Sequence, residues 1–364
     1  MKRHKSTKIN ILFPYMGNSI GGSHISSLIL VKNLPQPYNP IVLLHKRGQL
    51  ANYLEENKIP YFIDEKLISL SNGRWQYVYG FSQFTRLLKR LKIDIVHTNE
   101  INMHTTWLFP TFFSSVKHLW HQRTPGPTKS IFTSVLSSKV ITISNYNKNS
   151  FPAFFRRKME FVFNPFNFSS SENSLSGKKI DSTIHLAWVG NFHQRKRIDV
   201  FLKIIAELEK KPRMSPIVAH VYGTPLEPVL GKAKELINYE KITSKIHFHG
   251  FVNDISSELL KADILIASAE GEAFGRTLVE AAAIGIPIVA NGEGGHKEII
   301  VNGSTGILIP LNNIEKYVDS ILELIKNNER RLLLIKNGYK HCRNIFSIEA
   351  HIIKITKIYN TLIN

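Results

Sequence analysis

The sequence predicts an α/β protein of two doubly wound, Rossmann-like domains facing a cleft, with a C-terminal helix packing back on the first domain. Three observations lead there. Short apolar runs alternate with amphipathic segments along the chain, the pattern of parallel sheets covered by helices on both faces. A stretch rich in Ser, Asn and Lys, NFSSSENSLSGKK, interrupts that alternation near the middle. The 364 residues also exceed what one hydrophobic core ordinarily serves.

In the first half INILF, PIVLL, DIVHT, HLWHQ and KVITIS read as buried strands. In the second half HLAWVG, IVAHVYG, KIHFHG, DILIAS and IPIVA repeat the pattern. Between them FSQFTRLLKRLK and DVFLKIIAELEKK carry the apolar period of helices. From about Asn312 the chain reads as successive helices, ending in SIEAHIIKITKIYNTLI. The expected boundaries are 1–166 for the first domain, 167–180 for the linker, 181–345 for the second domain and 346–364 for the returning helix.

Composition is that of a globular protein, with 43% apolar and 21% charged residues. One cysteine, Cys342, excludes an intramolecular disulfide and fits a reducing compartment. The longest apolar candidate for a membrane span, TTWLFPTFFSSV, is short and holds Pro110. The basic start, MKRHKSTKINILF, has too short an apolar part for a signal peptide, and INILF reads better as a first strand. The expected location is cytoplasmic, peripheral on the inner face of the membrane if the basic surface meets lipid. Charge is uneven. Residues 1–170 hold 22 Lys+Arg and 7 Asp+Glu, a net of +15, and the rest hold 25 and 21, a net of +4. A basic first half suits an anionic membrane surface, nucleic acid, or merely a solvated face.

The chemistry-bearing stretches follow strands. After DILIAS comes the loop AEGEAF and then GRTLVEAAAIG, a helix opening near Gly275. Its first amides, at Gly275, Arg276, Thr277 and Leu278, form an anion site. Glu272 lies in the loop before it and Glu280 on its second turn, in reach of sugar and ribose hydroxyls. The plainer reading is a helix whose first turns are acidic to suit its dipole. WVGNFHQRKRID likewise leaves a strand and opens a helix, setting Arg195, Lys196 and Arg197 in a turn suited to phosphate. A solvated basic loop is the plain alternative. NGEGGHKEIIVNGSTGILIP adds a Gly-rich stretch after IPIVA, which also reads as a turn and hairpin.

Taken together, VGNFHQRKRID, ASAEGEAFGRTLVEAAAIGIPIVA and EGGHKEIIVNGSTGILIP resemble the retaining glycosyltransferases of family 4, of the GT-B fold, strongly over about 184–345 and faintly before. The E-x7-E element is Glu272 to Glu280. The resemblance implies an acceptor-binding first domain and a second domain that holds a nucleotide-diphosphate sugar. It implies that Glu272 contacts the donor sugar and Glu280 the ribose. The backbone at Phe274 and Gly275 then touches the sugar, and that at Thr277 and Leu278 the phosphates. Gly190 closes the VG turn and Lys196 is the family lysine. Asn191 stands where the family has arginine, so Arg195 or Arg197 would supply the missing charge. In the first half, Gly21 and Gly22 occupy the family's cleft loop, and His121, in HLWHQRTPG, its sugar-binding histidine. His24, His97 and His193 are further candidates for the cleft.

These expectations describe a metal-independent transferase without a cofactor, whose substrate is a nucleotide-diphosphate sugar. The expected acceptor is a glycan or lipid-linked glycan of cell-surface polysaccharide or lipopolysaccharide. A nucleotide-sugar epimerase of the same fold and a non-catalytic relative are the alternatives. No phosphate loop, Asp-x-Asp, zinc spacing or nucleic-acid module is present in the sequence, and no specific nucleic acid is expected.

Overall fold

In a computed structural model, residues 8–70, 73–123, 133–168, 180, 182–212 and 215–364 are described. The expected linker, 167–180, lies almost wholly outside them, as do residues 124–126 of HLWHQRTPG. The chain forms two compact units, residues 1–165 with 348–364, and residues 166–347.

Among the described residues unit 1 holds seven parallel strands: β1 (Ile9–Tyr15), β2 (Tyr38–Leu44), β3 (Tyr61–Ile63), β4 (Ile95–Thr98), β5 (Lys117–Gln122), β6 (Lys139–Thr142) and β7 (Met159–Phe161). Their order is β3-β2-β1-β4-β5-β6-β7. Helices α1 (Gly22–Asn33), α2 (Gln49–Glu56), α3 (Arg74–Arg90) and α4 (Ile101–Ser114) make crossovers, and α5 (Asn145–Asn149) and α6 (Ala153–Arg156) join β6 to β7. Apolar residues cover both faces of the sheet, as parallel strands require. One face packs Ile11, Phe13 and Ile95 with Leu28 and Leu54, and the other packs Leu12, Leu43 and Val96 with Phe84 and Trp107.

Among the described residues unit 2 holds six parallel strands: β8 (Ile184–Val189), β9 (Ile217–Tyr222), β10 (Lys245–Gly250), β11 (Ile264–Ala267), β12 (Ile288–Asn291) and β13 (Ile307–Ile309). Their order is β10-β9-β8-β11-β12-β13. The helices are α7 (Ile198–Glu209), α8 (Val229–Tyr239), α9 (Ile255–Leu259), α10 (Arg276–Ile284), α11 (His296–Ile299), α12 (Ile314–Lys326) and α13 (Asn328–Phe346). The last helix, α14 (Ile348–Ile363), belongs to unit 1, where Ile355, Ile358 and Tyr359 enter the core. The expected return of the C-terminal helix is thus met.

Two expectations need correction. KIHFHG is not a buried strand. It is the edge strand β10, and each of its residues is half-buried or exposed. GILIP does not close a hairpin, because β13 pairs parallel to β12 with α11 between them. Strands β3 and β7 carry no recognisable pattern, since three residues are too few for a period of two to show. Among the described residues no helix is long and apolar enough to cross a membrane.

Candidate active site

Each sheet reverses its strand order at its first strand. β1 lies between β2 and β4, and β8 between β9 and β11. The connections leave to opposite sides there, which opens a crevice beyond the C-terminal strand ends. In unit 2 this brings together the turn after β8 and the loop after β11.

Lys196 ends a 3-10 turn, Gln194–Lys196, and its Nζ donates to Glu272 Oε2 at 2.5 Å. Arg195 Nη1 stands 3.7 Å from the same oxygen. The Glu272 side chain is 12% exposed and that of Arg195 43%. Burial pushes the Glu272 carboxyl up, but Lys196 and Arg195 outweigh it and hold it below the usual carboxylate range. Backbone bonds fix this geometry. Ser268 Oγ donates to the Arg197 carbonyl at 2.7 Å, and the Glu270 amide donates to the Arg195 carbonyl at 2.7 Å. From the next loop, the Gly295 amide donates to the Glu272 carbonyl at 2.7 Å. A Cβ on Gly295 would lie 2.6 Å from the Phe274 backbone, so the Gly-rich stretch serves close approach.

Gly275 caps α10 with φ 102°, a conformation that favours glycine, and a Cβ there would meet His296 Cδ2 at 2.9 Å. The Thr277 amide has no partner among the described residues, as expected at a helix N-terminus. The Leu278 amide does not match the expectation. It donates to the Gly275 carbonyl at 3.0 Å and is taken up by the first helical turn. Glu280 accepts from Arg276 Nη2 at 3.1 Å, and the Arg276 guanidinium lies 4.7 Å from the Phe166 ring centre. The Phe274 side chain packs in the core between Phe166 and Phe346.

Gly190 and Asn191 shape the neighbouring loop. The Gly190 amide donates to the Tyr222 carbonyl at 2.8 Å, and Asn191 Oδ1 accepts from the Thr224 amide at 3.0 Å. Of the two arginines offered for the missing family charge, Arg197 is engaged by Asp199 and Glu270 at 3.1 and 3.0 Å. Arg195 is the more available. Beside it lies a depression of about 1210 Å³, lined by His193, Arg195, Leu226, Glu227 and Glu270.

In unit 1 the equivalent reversal holds Gly21 and Gly22 at the start of α1. The Gly21 amide donates to His24 Nδ1 at 3.1 Å, which leaves the His24 Nε2 proton for Glu100 Oε1 at 2.6 Å. Glu100 Oε2 accepts from the Met16 amide at 2.9 Å. His121 lies at the end of β5 and is 0% exposed, so it does not line an open surface as expected. The reason is its neighbours: His97 and His351 stack on either side, at ring distances of 5.6 and 6.3 Å. Burial drives all three imidazoles well down from their ordinary range, so they are neutral. His121 Nδ1 accepts from Arg123 Nη2 at 3.2 Å, and its Nε2 has no partner among the described residues.

Three residues at these reversals escaped the sequence reading: His296, the Arg276 side chain and Glu100. His296 Nδ1 donates to the Asn291 carbonyl at 3.0 Å, and burial lowers its pKa beside Glu272. Its only sequence signal was its place in EGGHKE. Arg276 was legible as an i,i+4 partner of Glu280. Glu100 had no local signal. Among the described residues no group of three or more His, Cys, Asp or Glu is placed to hold a metal ion.

Residues 172–341 match the model of glycosyl transferases group 1. Anabaena HepE, solved with UDP and glucose, superposes with a TM-score of 0.78 at 16% identity, covering 97% of this chain and 100% of that one. A glycosyltransferase of Rickettsia africae reaches a TM-score of 0.81 at 21% identity, covering 98% and 99%. The fold is GT-B. In sequence, the GT-B chain is related to the glycosyl transferases group 1. It is 28% identical over 176 residues to the lipopolysaccharide core biosynthesis mannosyltransferase LpsB of Rhizobium meliloti, 48% of this chain and 50% of that protein. It is 26% identical over 221 residues to N-acetyl-alpha-D-glucosaminyl L-malate synthase of Bacillus anthracis, 60% and 52% respectively. The aligned part spans about half the length of these curated relatives.

Proposed function

We propose that this chain is a retaining glycosyltransferase of family 4, moving a sugar from a nucleotide-diphosphate sugar to an acceptor hydroxyl. The observation that carries the reading is the pairing of Glu272 with Lys196 and Arg195 beside the N-terminus of α10. A diphosphate at that terminus would meet the Thr277 amide and both cations. It would compete for Lys196, and binding would free Glu272 to accept from sugar hydroxyls. As the glycosidic bond breaks, negative charge grows on the leaving diphosphate, and the same groups stabilise it. Glu280, oriented by Arg276, takes the ribose in this reading. A hollow of about 170 Å³ bordered by Gly190, Asn191, Tyr222, Gly223, Phe251 and Val252 would take the base.

The HepE complexes with UDP and UDP-glucose support a UDP-hexose as the first donor to test. The likeness to LpsB supports an acceptor in lipopolysaccharide or related polysaccharide assembly. Unit 1 would hold that acceptor near Gly21 and Gly22. No cofactor and no metal enter this scheme.

The test is a thermal-shift and calorimetric screen of UDP- and GDP-sugars in the presence of a chelator. One donor should stabilise the wild type. Lys196→Ala should weaken it about tenfold or more, the size of a lost charge-assisted hydrogen bond. Glu280→Ala should weaken the same donor without changing which sugar is preferred. A wild type that no donor stabilises would sink the reading.

A further inference from the structure

The surface of unit 1 carries a feature that the donor site does not use. Helix α3 has four basic residues, Arg74, Arg86, Lys89 and Arg90, and no acid, while α4 has no Asp, Glu, Lys or Arg at all. At 100° per residue, Trp75, Val78, Tyr79, Ser82, Arg86, Lys89 and Arg90 fall within roughly 120° of the α3 circumference. All seven are exposed, Trp75 by 76%, Val78 by 60% and Tyr79 by 84%. The opposite face, with Tyr77, Phe84, Leu87 and Leu88, is buried in the core. The helix is therefore not a core helix with a solvated back. Its outer stripe is aromatic at the N-terminal end and cationic at the C-terminal end.

Helix α4 extends that stripe. Phe113 lies with its ring 6.0 Å from Phe81 of α3 and 5.4 Å from Phe112, and the two phenylalanines are 69% and 55% exposed. Large exposed rings grouped in this way mark an interaction surface. A water-facing helix would carry acids among its bases, and a protein partner of ordinary charge would be met by both signs. This stripe offers apolar and aromatic side chains and cations but no acid, which is the composition of a helix lying in a lipid interface. Its charge is complementary to anionic headgroups and continues the +15 of residues 1–170.

We infer that the outer face of α3, with Phe112 and Phe113 of α4, docks unit 1 on an anionic lipid surface, its rings entering the headgroup boundary and Arg86, Lys89 and Arg90 contacting lipid phosphates. The inference stands on this face alone and not on the transfer reading, so each can fail without the other.

The chain supplies its own reporter. Trp107, Trp120 and Trp188 are fully buried, whereas Trp75 is exposed. Vesicles of phosphatidylcholine with phosphatidylglycerol should shift the tryptophan emission to the blue and sediment the protein, and pure phosphatidylcholine should do neither. Arg86→Glu with Lys89→Glu and Arg90→Glu should weaken sedimentation on the order of a hundredfold, at about tenfold or less per charge. Trp75→Ser with Tyr79→Ser should weaken it as well. Both variants alter exposed side chains only, and an unchanged circular dichroism spectrum with a cooperative thermal melt would verify their folding. Equal binding to both vesicle types, or binding undiminished in both variants, would overturn the inference. So would a self-association in sedimentation equilibrium that the same substitutions abolish, since the face would then belong to a second copy.

Discussion

Both sheets reverse at their first strand, and at both reversals a glutamate follows the unit's fourth strand in chain order: Glu100 after β4 and Glu272 after β11. The two are held differently. Glu100 is satisfied by a backbone amide and by His24, which also ties down Gly21, so its bonds build a loop. Glu272 is satisfied by Lys196 and Arg195, cations that an incoming phosphate would also attract. The same topology thus produces a bracket to backbone and imidazole in one unit and an ion pair between side chains in the other. Topology places a site, but the partners of its carboxylate decide whether a ligand can enter the network.

The sharpest way to test this contrast is acid. Unit 1 buries His45, His97, His104, His118, His121 and His351, and burial lowers the pKa of each. Unit 2 among its described residues buries His220 and His296, also lowered. A lowered folded pKa gives stability that is present above the unfolded value and lost as pH falls toward the folded one. Each histidine therefore removes up to about 1.4 kcal/mol per pH unit below about pH 6.5. The Glu272 contribution begins to fade only below the ordinary carboxylate value of 4.5. Hydrogen-exchange mass spectrometry during a descent from pH 6.5 should show unit 1 opening before unit 2, by several kcal/mol. Simultaneous opening would break the contrast.

A smaller effect separates the two glutamates directly. Lys196→Ala leaves a mostly buried carboxylate with only the distant Arg195, and should cost about 2 kcal/mol near pH 7. That cost should shrink below pH 4.5, where Glu272 no longer needs its charge partner. His24→Ala removes a hydrogen bond to Glu100, which keeps the Met16 amide, and should cost about 1 kcal/mol. Urea melts at both pH values would measure the pair. Equal costs at pH 7 would mean that the two brackets are alike.

The smallest expected change is at Arg276. Its pair with Glu280 is an i,i+4 pair on a helix, so Arg276→Ala should cost only about 0.5 kcal/mol of stability in a thermal melt. In the proposed reading it should still weaken donor binding measurably by calorimetry, because Glu280 loses its orientation. A stability loss of several kcal/mol would show that the pair supports the fold instead.

The alternation of strands and helices, the α10 N-terminus at Gly275 and the return of α14 were legible because each leaves a local pattern: an apolar period, a glycine before a helix, a long amphipathic tail. The pairing of Lys196 with Glu272 was not, although both were singled out. They stand 76 positions apart, and only the adjacency of β8 and β11 brings them together. His121 shows the same limit from the other side. Its position after a strand was visible, but its burial depends on His97 from β4 and His351 from α14.

What the sequence determined alone were the periodicities, the glycines that permit close approach, and the residue types available at the strand ends, since these follow from backbone sterics and short-range burial. The tertiary structure decided which charges meet. A salt bridge or a buried imidazole depends on the distance between segments remote in the chain, and that distance exists only once the parallel sheets have set their strand order.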